Sequence, residues 1–392
     1  MTDVTTSQGR DGAGLSAADE QLLLRELTER ARAGGLKLAD EGGLLGKLAK
    51  MMVEGALDGE LDDHLGYDVT QAKPLVIAWV SKPAMPGALV PLYPAADDRV
   101  HPGPVVAGAT CRCCPGGISR SARGRRYPSD MSEAEWAVCE PLLPAPAWLA
   151  GLGGRPASYC MRDVVDAIRY LTHNGPVWRA LPCDFPPAWT VYYWADKWQA
   201  DGSTEQMHDD LREQVRLAAG RKAVPTAAVI DSQSVKGSEM IAGGHRGYDA
   251  GKKINGTKRH IAVDTIGLLL TVLVTAASVQ DRDAARPLLW NLRRAFPSIK
   301  LAWADGGYAG KLVAWAKSSL RLTLEIVKRP DDLHAFKVLP RRWVVERTLA
   351  WITRHRRTVR DYERLPAHHE TYVYWSMIIV MTRRLARQAS AA

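Results

Sequence analysis

Apolar positions along this chain change their period three times. From about Glu20 to Gly66 they recur at helical spacing. Leu22, Leu23, Leu24 and Leu27 form one stripe, and Leu44, Leu45, Leu48, Met51, Met52, Ala56 and Leu57 form another. A helical N-terminal fragment is expected over 1–69, its first twenty or so residues disordered because they are rich in Gly, Ser, Thr and Asp. Over 70–126 the periodicity is lost. Pro74, Pro83, Pro86, Pro91, Pro94, Pro102, Pro104 and Pro115 interrupt any element, which predicts a disordered linker rich in Pro, Gly and Arg.

From Tyr127 the helical period returns. Ser132-Glu133-Ala134-Glu135 is a capping box, predicting a helix to about Leu143 that Pro144 and Pro146 end. Arg162–Leu171 reads as a second helix, stopping near Asn174-Gly175-Pro176, and Thr190–Trp198 as a third; Asp201–Leu217 leads onward. Three short helices with a tight connection suit a helix-turn-helix type of DNA-binding domain over 127–220, whose last helix can enter a major groove. Its candidate DNA-facing residues are Arg155, Arg179, Thr190, Tyr193 and Lys197; equally, the aromatic residues of the third helix can be core.

From Ala223 the period becomes that of strands. Ala227–Asp231, Lys258–Asp264 and Leu268–Ala276 are expected as three strands, the last two joined by a turn at Gly267. A helix from Asp281 to about Phe296, a strand Ile299–Ala304, a helix Ala309–Leu320, a strand Leu322–Val327, a long helix Arg341–Arg357 and a final helix Glu370–Arg387 follow. This order is that of a ribonuclease-H-like domain over 221–392, a mixed five-stranded sheet with helices. The fold class is therefore α/β, with a helical domain in front. In such a sheet the first and fourth strands are neighbours.

Composition adds a partner class. The chain has 392 residues, a formal net charge of +9 and 46% hydrophobic residues, enough for a substantial core and biased toward an anionic partner such as nucleic acid. Ser119–Arg126, with four arginines among eight residues, is either a solvated linker or an arm laid along phosphates. The six cysteines do not form paired metal knuckles; Cys111, Cys113 and Cys114 lack a second pair, and reduced thiols are expected. No basic-then-apolar leader and no run of about eighteen apolar residues occur, so no membrane contact and a cytoplasmic, nucleoid-associated protein are expected.

Two acids stand where predicted strands end. Asp231 follows Ala227–Ile230, and Asp305 follows Leu301–Ala304; Glu346 lies in a helical run. Three carboxylates of this kind can hold two hard cations about 4 Å apart for phosphodiester chemistry, Mg²⁺ or Mn²⁺. An acid at a strand end is more commonly a turn or cap residue, and the spacing leaves Asp264, Asp281 and Asp283 open as alternatives.

Longer phrases narrow this. RYPSDMSEAEW, GPVWRALP, VIDSQSVK, GYDAGKKINGTKRHIAVDT, ASVQDRDAA, WADGGYAG and RRWVVERTLAWITRHRR occur in this order between Arg126 and Arg357. Over about 127–387 the chain resembles the DDE transposases of the insertion-sequence-five group. The resemblance implies that Asp231, Asp305 and Glu346 are catalytic and metal-binding, and that double-stranded DNA is the partner, both element ends and target. It also implies a homo-oligomer, since two ends are processed together, and Mg²⁺-dependent end cleavage with strand transfer. Lys252, Lys253, Lys258 and Arg259 are expected along the DNA path, with Arg342, Arg347, Arg354, His355, Arg356 and Arg357. The superfamily pattern Tyr-x2-Arg-x3-Glu-x6-Lys is met at Arg342 and Glu346, but Leu339 stands at the Tyr position and Thr353 at the Lys position, with Arg354 next to it. A separate stretch, Leu48–Tyr67, resembles the N-terminal part of Mutator-like bacterial transposases, which makes 70–126 readable as the scar of one mobile element inserted into another. The alternatives are a DNA-binding remnant without catalysis, and a ribonuclease-H-like nuclease without strand transfer.

Overall fold

A computed structural model of the chain describes residues 123–146, 148, 157–327 and 340–391. The readings of residues 1–122, among them the Mutator-like stretch and most of the linker, lie outside the described residues. Four helices come first: α1 (Glu133–Cys139), α2 (Met161–Asn174), α3 (Ala188–Ala200) and α4 (Ser203–Ala218). The capping box at α1 is formed. The Ser132 hydroxyl accepts from the Glu135 amide at 3.2 Å, and the Glu135 carboxylate accepts from the Ser132 amide at 2.8 Å.

The sheet comprises β1 (Ala227–Lys236), β2 (Gly247–Asp249), β3 (Ile254–Val263), β4 (Leu269–Ala276), β5 (Leu301–Ala304) and β6 (Thr323–Ile326). β3 is antiparallel to both β1 and β4; β5 is parallel to β1, and β6 to β5. First and fourth expected strands are thus neighbours, as β1 and β5. β2 is an addition to the five strands expected. It pairs with the start of β3 in a segment whose glycines and lysines read as loop. The close approach of chains there requires Gly256: a Cβ on it would stand 2.1 Å from the Val235 carbonyl oxygen. β1 also runs to Lys236, beyond the expected end at Asp231, because Gln233–Lys236 continue the pairing with β3.

Alternation along β1 feeds two cores. Ala228 and Ile230 face one shared with α5 (Asp281–Ala295) and α6 (Lys311–Leu320), through Leu288, Leu289, Leu292, Leu312 and Ala316. Val229 faces the other, built with α1–α4, α7 (Pro340–Thr353) and α9 (Pro366–Ala391). Each fully buried leucine contributes about 1.5–3 kcal/mol. The second core runs without interruption across the expected domain boundary at 220/221, since α9 packs on α1, α2 and α4 and also on β4. Arg169 of α2 ties this arrangement together. It is fully buried and donates to the Ser129 carbonyl (3.0 Å), the Glu135 carboxylate (2.6 Å) and the Thr382 hydroxyl of α9 (2.9 Å).

The expected linker ends earlier than 126. Arg123 is nearly buried, stacks over the Phe185 ring at 3.9 Å, and bonds Asp130 (2.6 Å) and Asp184 (3.0 Å). It therefore anchors the chain to the helical layer. The long helix expected over Arg341–Arg357 is also divided. α7 ends at Thr353 and a short α8 (Arg356–Val359) follows. The Thr358 hydroxyl donates to the Ile352 carbonyl at 2.5 Å and the His355 carbonyl at 2.8 Å, which closes the bend.

Candidate active site

Parallel register places two of the three expected acids near each other. Ala227, Ala228 and Val229 of β1 pair with Leu301, Ala302 and Trp303 of β5. Asp231 and Asp305 each come two residues later, and both line one small cavity with Ile230, Ala304, Val327 and Val345. Both are half-buried. Asp305 caps the turn after β5, its carboxylate accepting from the Gly307 amide at 2.9 Å, and the Asp231 carboxylate accepts from the Ser232 amide at 2.7 Å.

The third acid arrives on α7, which packs across β1. Val345 is buried and lines the cavity, whereas Glu346, the next residue, is exposed and is not among the residues that line it. α7 is seated from below by Thr348, whose hydroxyl donates to the Gly267 carbonyl at 2.6 Å. Gly267 has φ +84°, and a Cβ there would stand 3.0 Å from that hydroxyl. Among the described residues, no three His, Cys, Asp or Glu side chains are close enough together to hold a cation. The structure thus brings Asp231 and Asp305 to one cavity and leaves Glu346 exposed on the helix that packs across β1. Two hard carboxylates fit Mg²⁺, which keeps several waters and needs few protein ligands.

The three alternative acids separate clearly. Asp264 is buried, bonds Arg216, and accepts from the Ile266 and Leu268 amides at 2.9 and 2.8 Å, so it holds the β3–β4 turn. Asp283 is exposed on α5. Asp281 opens α5 beside β1, and the Ser232 hydroxyl donates to it at 2.8 Å. Lys258 bridges it, at 3.1 Å, to Asp249 at 3.5 Å, and also donates to the Val279 carbonyl at 3.0 Å. Asp249 accepts from the Ser234 hydroxyl at 2.5 Å. Burial would raise its carboxyl, but Ser234, the Lys252 amide and the lysines hold it down to about 2. Sequence reading missed this network. Its only signal was that Ser232 and Ser234 must face away from Asp231 on a strand.

The candidate DNA-facing residues divide by burial. Arg179, Tyr193, Lys197, Lys252, Lys253 and Arg356 are exposed, Lys197 pairing with Asp201 at 2.8 Å. Arg347 and Arg354 are half-buried; Arg347 lies over the rings of Trp343 and Trp351 and donates to the Ile266 carbonyl at 3.0 Å. Thr190, Lys258, Arg259, His355 and Arg357 are buried, contrary to a surface role. Arg259 is fully enclosed, held by Gln233 and by the Thr358 carbonyl at 2.9 Å, and burial lowers its guanidinium to about 9. Arg357 bonds Glu363 and the Pro176 carbonyl, both at 2.7 Å, and His355 packs on His173. These groups serve the interior. Arg155 and the side chain of Arg342 lie outside the described residues.

Comparison with known proteins agrees with the arrangement. Residues 222–381 match the family model "Transposase DDE domain", and residues 131–208 match "Putative transposase of IS4/5 family". A relative from Burkholderia cepacia, "Putative transposase for insertion sequence element IS402", is 29% identical over 143 residues. That match spans 34% of this chain and 65% of the relative. The chain is thus similar to insertion-sequence transposases over these segments and spans less than two thirds of the relative's length. Two solved structures are distantly similar. The Drosophila P element transposase strand transfer complex has 14% identity and a TM-score of 0.24, covering 46% of this chain and 44% of its own. The Mos1 strand transfer complex has 14% identity and a TM-score of 0.19, covering 47% and 60%. Scores so low carry no argument about this chain. No helix among the described residues is long and apolar enough to cross a membrane.

Proposed function

We propose that this chain binds the double-stranded ends of its own insertion sequence, cleaves them, and joins the freed 3′ ends to target DNA, acting as a dimer or larger homo-oligomer. The observation that carries this reading is the meeting of Asp231, midway along β1, and Asp305, just after the neighbouring parallel strand β5, inside the segment that matches a DDE domain. The strand order is that of a ribonuclease-H-like sheet, which supports the same reading. Asp231 and Asp305 hold the divalent cations, Mg²⁺ or Mn²⁺, with Glu346 completing the set from α7. When bound, such cations activate water or a 3′-hydroxyl and neutralise charge on the leaving oxygen.

The exposed cations Arg179, Lys252, Lys253 and Arg356 neutralise backbone phosphates and so orient the duplex without reading its sequence. Tyr193 and Lys197 on α3 offer a second contact face. The test is nicking and joining of labelled DNA bearing the element's terminal repeats, with and without Mg²⁺. Cleavage by wild type that persists at full rate in Asp231→Ala would overturn the assignment.

A further inference from the structure

One buried polar atom near the carboxylate pair is left without a well-formed hydrogen bond. Tyr308 stands three residues after Asp305, in the short turn Gly306–Tyr308 that Asp305 caps. Its ring is 1% exposed and packs in the core beneath α5 and α6. The turn lies against α5, whose first residue, Asp281, accepts from Ser232, the neighbour of Asp231. The Tyr308 hydroxyl stands among Asp231, Asp281, Asp305 and Ser232; Ser232 is near enough to interact with it, but no well-formed hydrogen bond is made. A phenol buried without a partner costs about 1–3 kcal/mol, and phenylalanine in its place avoids that cost. Such a group is maintained without benefit to the fold unless it gains a partner in another state.

The other polar groups on this face are already engaged. Ser232 donates to Asp281, Ser234 to Asp249, and Lys258 bridges the two acids. Of the four neighbours, Asp231 and Asp305 are the pair proposed above to hold a cation, and each accepts from a backbone amide next to it.

We infer that Tyr308 is a positioning residue for the carboxylate pair, its hydroxyl held dry behind the strand ends to donate to a carboxylate oxygen of Asp231 or Asp305 in the cation-bound state. This rests on the proposed metal-binding role of the pair. Groups that orient ligating carboxylates in this way change metal affinity without touching the metal.

The experiment measures Mn²⁺ binding to the purified full chain by titration calorimetry and by loss of the free-ion electron paramagnetic resonance signal, together with thermal unfolding without metal. Wild type, Tyr308→Phe and Asp231→Asn are compared. Tyr308→Phe is expected to unfold at the wild-type temperature or slightly above it and to bind Mn²⁺ about 10-fold more weakly. Wild-type affinity in Tyr308→Phe, with binding lost in Asp231→Asn, overturns the inference and leaves the reading of the pair standing. A marked fall in unfolding temperature for Tyr308→Phe also overturns it, because the hydroxyl then holds the fold. Undiminished binding by Asp231→Asn overturns the reading of the pair itself.

Discussion

Asp231 and Asp305 line the same cavity, each two residues past the paired Val229 and Trp303 of neighbouring parallel strands. Removing either charge separates chemistry from folding. Asp231→Asn and Asp305→Asn are each expected to reduce Mg²⁺-dependent nicking of terminal-repeat DNA by more than about 100-fold, or roughly 3 kcal/mol of barrier. Their unfolding temperatures should stay at the wild-type value or rise, because two like charges at one cavity repel. Calorimetry beside the nicking assay checks both halves.

Lys252 and Lys253 are exposed on the loop before β3, whereas Arg259 in the same sequence phrase is enclosed. Replacing both lysines by alanine should weaken DNA binding at low salt and lower the slope of log affinity against log salt by about 2, without changing stability. Arg259→Ala should instead destabilise the fold, by about 1–3 kcal/mol for each acceptor, Gln233 and the Thr358 carbonyl, left without its donor. Binding measured at two or more salt concentrations, with denaturant unfolding, distinguishes these outcomes.

Asp166 is buried on α2, where it accepts from the Met131 amide at 2.8 Å. Burial raises its carboxyl to about 7, against the opposing effect of that amide and of Arg169. The folded state therefore binds a proton that the unfolded state, titrating near 4, has lost. Stability from this group is present at low pH and is lost as pH rises from about 4 to about 7. Asp166→Asn, which keeps the acceptor, should be close to wild type at or below about pH 4 and progressively more stable than it as pH rises to about 7 and beyond. Equal pH slopes for the two proteins would contradict this.

Arg169 links α1 and α2 to α9 across the whole described chain. A fragment ending at Gly220 lacks α9 and the sheet, and exposes Trp198, Met207, Leu211 and Val215. It is expected to show no cooperative unfolding transition, while the intact chain does. Cooperative melting of the fragment would make the helical layer an independent domain after all.

Local patterns were sufficient for most elements. The capping box at Ser132, the helical stripe of Met161–Asn174 and the apolar run ending at Asp231 are written in neighbouring residues, and a chain reads these without distant contacts. The order of strands and helices along the chain likewise anticipated β1 beside β5, because few topologies accommodate that order. The phrases around Asp231, Asp305 and Glu346 named the acids by resemblance, at positions that periodicity could not separate from Asp264 and Asp281.

Only the tertiary structure decided which charged residues face inward. Lys258, Arg259 and Arg357 lie in basic phrases much like those of Lys252, Lys253 and Arg356, yet their partners are Asp281, Gln233 and Glu363, all but Glu363 remote in sequence. Burial of a charge depends on partners brought by folding, which no local pattern records. The same holds for the hydroxyl of Tyr308: its neighbours come from β1, from the start of α5 and from its own turn, and they meet only when the sheet is built. The candidate acids Asp231 and Asp305 were legible in the chain, and their surroundings were set by packing.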